Sequence, residues 1–374
     1  FRGIKMKKII GIQTPHYAFN YGAQLQAFAL GIALKNIGFD IEYINRRPST
    51  YFEFSSKCDK FIKQKELDTK FRGFVDFEKS YLQPQSIRLI HNSDYKHLDV
   101  SKYFAVIVGS DQIWRDSYFY SSFEYSPYLY FFDDPDIRKI SYAASFGKNT
   151  CVQPEDRRNI ISSLLKKFYA ISVREQSGVD ILRNYYDVEG TWVSDPTLLH
   201  TADVYIRKLG LTKKSETDFQ IGTYILGGSY NHFRKLNKLS QYAHIPLKHI
   251  YGSFYHNRIL NRFNLNRFMK IPSVIEWLDL ILNSKYIVTD SFHGLAFSII
   301  FNKQFVVFNN TNGGSERFIS LLRVLGLEDR LFEWNADEQI VFQKLREKIN
   351  YEDVNSRLKT FVSPSLDFLK RSLL

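Results

Sequence analysis

Short β-branched runs ending in polar turns, each followed by apolar residues at helical spacing, recur along this chain and predict its class. Lys8 to Thr14 is the first such run. After the turn Asn20-Tyr21-Gly22, residues Leu25, Phe28, Ala29, Ile32 and Ala33 fall at helical spacing, and Gly38 closes the helix. Asp40 to Asn45 reads as a second strand, which makes the opening a βαβ unit with a right-handed crossover. Residues 51 to 100 carry mixed charge and weak periodicity, from which only some helix can be predicted. The pattern returns with the apolar run Ala105-Val106-Ile107-Val108, which ends at Gly109-Ser110-Asp111, and with strands over Ile140 to Ala144 and Ala170 to Val173. Continuous apolar strands imply a parallel sheet covered on both faces. Helical stretches near Pro154 to Lys167 and Gln176 to Asn184 supply the covers.

The chain turns polar through Lys213-Lys214-Ser215-Glu216-Thr217. A second αβ series follows: strand Gln220 to Leu226, the pair Gly227-Gly228, a helical stretch, and strand Leu247 to Tyr251. Ser273-Val274-Ile275-Glu276 fits a capping box opening a helix to about Asn283. Next come strand Tyr286 to Thr289, a helix from Gly294, strand Phe305 to Phe308, the turn Gly313-Gly314-Ser315, and a helix from Glu316 to Leu325. The expectation is an α/β protein of two doubly wound, Rossmann-like domains facing a cleft, with ligands at the carboxyl ends of the strands. We draw the domains as 6–205, on the acceptor side, and 206–374, on the donor side, the last helix packing back on the first domain. Met6 is the expected start, and Phe1 to Lys5 are left out of the fold.

Composition narrows this further. At 374 residues the chain can bury a core in each of two domains, and 44% hydrophobic with 24% charged residues fits a globular protein. Only Cys58 and Cys151 occur, so neither a disulfide framework nor a thiolate metal cluster is expected, and a cytoplasmic location is. No stretch reaches the roughly 18 consecutive apolar residues of a spanning helix. Lys plus Arg exceed Asp plus Glu by 51 to 39, giving a formal charge of +12 that favours anionic partners. Those cations are spread rather than clustered and no nucleic-acid motif is present, so nucleic acid is not an expected partner.

Several strand ends carry polar groups that a core does not need. Thr289-Asp290-Ser291-Phe292-His293-Gly294 lies between a strand and a helix, where Asp290 or Ser291 can cap the helix and free N–H groups can hold a phosphate or carboxylate. His293 can hydrogen-bond that anion or shuttle a proton. A capped helix with a packed imidazole explains the motif equally well. Arg174 follows the strand Ala170 to Val173, so its guanidinium can grip an anion bidentately, or it can form a structural ion pair with a local acid. Gly313-Gly314-Ser315-Glu316-Arg317 offers another donor-rich turn, to which Arg317 adds charge. Ser110 and Asp111 at one strand end, and Asn20 and Gly22 at another, can touch a polyhydroxylated acceptor, although turn chemistry accounts for Asn20 and Gly22 as well. The histidines show no metal-ligand spacing, so no metal is expected, and the first strand is not followed by GxGxxG.

Six motifs then line up in order: Asn20-Tyr21-Gly22-Ala23-Gln24-Leu25-Gln26-Ala27, Gly109-Ser110-Asp111-Gln112-Ile113-Trp114, Tyr142-Ala143-Ala144-Ser145-Phe146-Gly147, Ser172-Val173-Arg174-Glu175, Asp195-Pro196-Thr197-Leu198-Leu199 and Thr289-Asp290-Ser291-Phe292-His293-Gly294. Together, from about residue 8 to about residue 330, they resemble the polysaccharide pyruvyl transferase family. The resemblance implies a fold like the GT-B glycosyltransferases, phosphoenolpyruvate as co-substrate with no resident cofactor, and a sugar acceptor converted to a cyclic pyruvate ketal. It links Arg174 and His293 to donor binding. Some members carry Arg-Leu before the His where this chain has Ser291-Phe292, so Arg317 and the Ser291 hydroxyl are the expected replacements. His293 is the expected proton carrier and Asp111 the base toward the acceptor. The acceptor is expected to be lipid-linked, such as an undecaprenyl-diphosphate-linked oligosaccharide, reached by peripheral contact with an anionic inner membrane. The rivals are a GT-B glycosyltransferase using a nucleotide sugar and a non-enzymatic glycan- or nucleic-acid-binding protein.

Overall fold

The computed structural model describes residues 9–47, 65–66, 68–115, 125–214, 220–226, 229–251, 270–310 and 316–374. Two parallel sheets organise them. The first contains Ile9–Gln13 (β1), Asp40–Tyr43 (β2), Tyr103–Val108 (β3), Arg138–Ala144 (β4), Ala170–Val173 (β5) and Thr191–Trp192 (β6), in the order β2-β1-β3-β4-β5-β6. The second contains Ile221–Ile225 (β7), Leu247–Tyr251 (β8), Tyr286–Thr289 (β9), Gln304–Phe308 (β10) and Leu331–Phe332 (β11), in the order β11-β10-β9-β7-β8. Counted from its own first strand, each sheet repeats one topology: the second strand lies outside the first, and the third, fourth and fifth run out on the other side. Each sheet therefore has a topological switch point between its first and third strands, where open α/β sheets bind ligands beyond the carboxyl ends. In the first half that point opens on Thr14 and Gly109-Ser110-Asp111; in the second it opens on Leu226 and Asp290-Ser291.

Local sequence explains the helices that fill the space between the sheets. Helix Tyr21–Ile37 (α1) starts where the Asn20 side chain accepts from the Ala23 N–H, and stops at Gly38, whose φ of 104° suits glycine and whose N–H reaches the Leu34 and Lys35 carbonyls. The capping box forms as the sequence predicts: Ser273 N–H donates to Glu276 (2.6 Å) and Glu276 N–H to the Ser273 hydroxyl (3.1 Å), opening helix Val274–Asn283 (α2). The short strands β6 and β11 escape the sequence reading because two residues carry no period. The Gly313-Gly314-Ser315 turn, Gly227-Gly228, Ser215 to Thr217, Lys5 to Lys8 and Cys58 lie outside the described residues.

Beneath the site the halves share one apolar core. It draws Leu25, Ala29 and Ile107 from the first half and Trp277, Phe297 and Phe305 from the second. Tyr21 stacks on Trp277 at 5.2 Å and 8° and donates its hydroxyl to the Pro272 carbonyl at 2.7 Å. Such a ring pair adds roughly 0.5–1.5 kcal/mol beyond the area it buries. The region 51–100, thinly patterned in sequence, contributes helix Arg72–Tyr81, whose Phe74 packs on Tyr21 and whose preceding Phe71 stacks on Phe19 at 4.1 Å. Helix Ala202–Leu209 runs through the 205/206 position, with Tyr205 between Phe28 and Phe297. The terminal helix Tyr351–Leu373 lies on the first sheet: Ser194 N–H donates to the Ser365 hydroxyl (2.8 Å), Arg138 to the Ser372 carbonyl (3.1 Å), and Trp192 meets Phe361.

Candidate active site

The two switch points meet over this core. Arg174 stands at the carboxyl end of β5, its N–H bonded to the Ala144 carbonyl at 3.0 Å. Its buried guanidinium faces three acids: Nη1 donates to Asp195 Oδ2 at 2.8 Å, Nε lies 3.4 Å from Glu175, and Nη2 lies 3.5 Å from Asp111. Burial opposes the Arg174 charge, yet Asp195, Glu175 and Asp111 hold it still more firmly protonated. From the second half, His293 enters at the start of helix Phe292–Ile300 (α3), where the Ser291 hydroxyl accepts the Gly294 N–H at 3.4 Å. The His293 Nε2 lies 3.7 Å from the same Asp195 Oδ2.

Asp195 is thus a junction. Its Oδ1 accepts from both the N–H (2.9 Å) and the hydroxyl (2.7 Å) of Thr197, and its Oδ2 from the Ser110 hydroxyl at 3.1 Å. Burial alone would raise its pKa, but His293 and Arg174 pull it well below the usual carboxylate range. Asp111, at a left-handed φ of 72°, follows the same logic. Burial raises it, Arg174, His293 and Arg317 outweigh that, and the net shift is downward. An ionised Asp111 can accept a proton, but cations this close make it a weak base.

Arg174 and Arg317 both lie over the Phe292 ring, at 4.7 and 5.8 Å from its centroid, so one aromatic ring gathers a cation from each half. Three helices begin here: α1 beside His293, α3 at Phe292, and helix Gln176–Tyr186 directly after Glu175. Their N-terminal ends add partial positive charge. Arg174 Nη2 and His293 Nε2 are buried with no hydrogen-bond partner among the described residues. Buried donors or acceptors left unsatisfied are costly; Nε2 has the Asp195 carboxylate 3.7 Å away, while Arg174 Nη2 points to a group supplied from outside.

Of the residues singled out from sequence, Arg174, Asp111, His293, Arg317, Ser110 and Gly22 gather here. A β-carbon on Gly22 would sit 1.9 Å from His293 Nδ1, so glycine is what admits the imidazole. Asn20, Ser110 and Ser291 hold backbone: Asn20 caps α1 (3.1 Å), Ser110 shares its one hydroxyl hydrogen between the Ala143 carbonyl (3.1 Å) and Asp195, and Ser291 caps α3. Ser291 rather than Asp290 caps α3; the Asp290 carboxylate accepts the Leu226 N–H at 2.6 Å and closes the second switch point. Residue-by-residue reading missed the Asp195 junction, Glu175, and Gln26, which takes the Ser110 N–H at 3.0 Å and donates to the Thr14 hydroxyl at 2.6 Å. Their only sequence signal was membership of the six motifs. Among the described residues no group of three or more His, Cys, Asp or Glu is arranged to hold a metal ion, and no helix is long and apolar enough to cross a membrane.

Fold and site together define a GT-B-like protein, two parallel-sheet α/β halves with functional groups at opposed switch points. The chain is similar to the UDP-GlcNAc 2-epimerase of Neisseria meningitidis bound to UDP-GlcNAc (TM-score 0.59, 10% identity, 98% of this chain and 99% of that one). It is also similar to the MnaA–UDP structure of S. aureus (0.52, 14%, 98% and 94%) and to a glycotransferase of kitacinnamycin (0.50, 13%, 98% and 99%). At these identities the likeness speaks to fold alone. No curated protein is significantly similar in sequence. The polysaccharide pyruvyl transferase family model matches residues 20–312, and the chain belongs to that family. It is a transferase of polysaccharide biosynthesis.

Proposed function

We propose that the protein transfers the pyruvyl group of phosphoenolpyruvate to two hydroxyls of a hexose, forming a cyclic ketal and releasing phosphate. The observation that carries this reading is the meeting of Arg174, Arg317 and His293 from opposite halves around the unsatisfied Arg174 Nη2, in a chain of this family. Protonation of the methylene carbon makes the adjacent carbon electrophilic. One sugar hydroxyl adds there and loses its proton to a base, phosphate leaves, and the second hydroxyl closes the ring as its proton passes to the departing phosphate. His293 is the proton donor; Asp111 receives the hydroxyl proton. General acid–base groups give on the order of 100- to 10,000-fold each, and positioning with electrostatics supplies the rest.

Three acids already face Arg174, so a triply charged donor needs further positive charge. Arg317 and the three helix starts provide it, and Arg174 contributes through Nη2. The acceptor is a sugar, carried in this reading on a lipid diphosphate. The reaction proceeds without a metal. The test is phosphate release from phosphoenolpyruvate with and without candidate sugar acceptors, with mass spectrometry for the pyruvyl gain. Release only with acceptor, unaffected by a chelator, is expected. Consumption of a nucleotide sugar with no pyruvyl gain would replace this reading with glycosyl transfer.

A further inference from the structure

We infer that Asp195 is a positioning residue that fixes the tautomer and orientation of His293, keeping the proton on Nε2 and leaving Nδ1 as the nitrogen that works on the substrate. This rests on the proposed role of His293 in proton transfer.

The geometry gives the two ring nitrogens different surroundings. Nε2 lies 3.7 Å from Asp195 Oδ2, within ion-pair range of a fully buried carboxylate. Nδ1 lies against α1 at Gly22, where the imidazole takes the place a β-carbon would fill. Among the described residues Nε2 is buried and makes no hydrogen bond, so the Asp195 carboxylate is the acid that faces it. A carboxylate next to one imidazole nitrogen favours the tautomer with the proton on that side, so the imidazolium delivers its other proton, from Nδ1, and the neutral ring left behind keeps its hydrogen on Nε2.

Asp195 is also built as a rigid holder. Both oxygens are engaged, Oδ1 by two donors of Thr197 and Oδ2 by Ser110 and Arg174, so the carboxylate cannot turn away. Thr197 and Ser110 are themselves wholly buried, and Ser110 N–H is pinned by Gln26 of α1. One acid therefore ties the first switch point, through Ser110 and Arg174, to the imidazole of the second. A site that moves a proton between halves of the molecule needs such a fixed reference, because a ring free to flip presents the wrong nitrogen half of the time.

Ring-nitrogen NMR of the full chain, with the His293 signals assigned from a His293→Gln variant, tests this without substrate. The wild type should show His293 protonated on Nε2, and Asp195→Asn should give a mixture or the opposite tautomer. In phosphoenolpyruvate turnover, Asp195→Asn should lower kcat by about 100-fold, with Asp195→Glu recovering part of it. Because a carboxylate lost from a packed cluster can impair folding, Thr197→Val serves as an isosteric second variant. It removes one holder of Oδ1 and should lower kcat by about tenfold while KM for phosphoenolpyruvate stays within about threefold. The inference fails if wild-type His293 is protonated on Nδ1, or if both folded variants keep the wild-type ring-nitrogen spectrum. Absence of phosphate release by the wild type would instead overturn the proposed reaction, leaving the spectrum to decide the role of Asp195.

Discussion

His293 Nδ1 lies directly against the α-carbon of Gly22, so that a methyl group there would stand 1.9 Å from Nδ1 and within 2.5 Å of two ring carbons. The two residues come from opposite halves and are 271 positions apart in sequence. Gly22 sits in the first turn of α1, at a position where alanine would ordinarily improve the helix. Its smallness serves the imidazole instead.

Gly22→Ala should therefore push His293 out of place and cut turnover by at least 100-fold, with a stability loss of about 1–3 kcal/mol from overpacking. Steady-state kinetics beside thermal melting checks this. Unchanged kcat in a folded variant would show that the ring moves without functional cost.

Arg174 and Arg317 should behave differently. Arg174→Ala strands three carboxylates in a buried site and should cost about 3–5 kcal/mol, so activity lost in that variant reports folding as much as binding. Arg317→Gln is the cleaner probe, and should raise KM for phosphoenolpyruvate about tenfold or more with little change in melting temperature. A KM within twofold of wild type would remove Arg317 from the donor site.

His16 predicts an acid sensitivity. The side chain is fully buried between Tyr17 and Tyr43; burial, aided by Arg47, pulls its pKa from 6.5 down to about 4 against the opposing Glu78 and Thr14 carbonyl. The unfolded chain takes up this proton near pH 6.5 and the native state only near 4, so stability falls as pH drops through that window. The full effect is about 3 kcal/mol. Chemical denaturation at pH 7 and pH 5 should show the loss, and His16→Gln should reduce it. Equal pH slopes in the two proteins would assign the loss to other groups.

The formal charge of +12 motivates a membrane test. Vesicles with anionic lipid should sediment the protein at low salt and release it at about 0.5 M salt, because screening shortens the reach of surface charge. Failure to bind at low salt would favour an acceptor free in solution.

Much of the architecture was legible in sequence because it is local. Strands β5, β8 and β9, the start and stop of α1, and the Ser273 capping box each depend on residues within one or two turns. The site was legible only as a set of strand ends. Which ends meet depends on strand order and on long-range bonds such as Arg174 to Asp195, 21 positions apart, and Ser110 to Asp195, 85 apart. A buried acid before a proline looks like any turn, so Asp195 gave no local signal of its role. The Phe71, Phe74 and Phe77 ridge was hidden among charges in a stretch whose helix is amphipathic but short.

Helix α1 is packed on nearly every side, with Tyr21 against Trp277, Gln26 holding Ser110, Gly22 admitting His293 and Ala29 giving its carbonyl to His200 at 2.8 Å. An ordinary surface helix has an outward face on which sequence can drift without consequence. This one has scarcely any. A substitution at its buried positions is felt at once by the core, by both sheets and by His293, so its composition cannot be tuned for stability in one generation and for activity in another. It is the segment through which the two halves of the molecule are obliged to vary together.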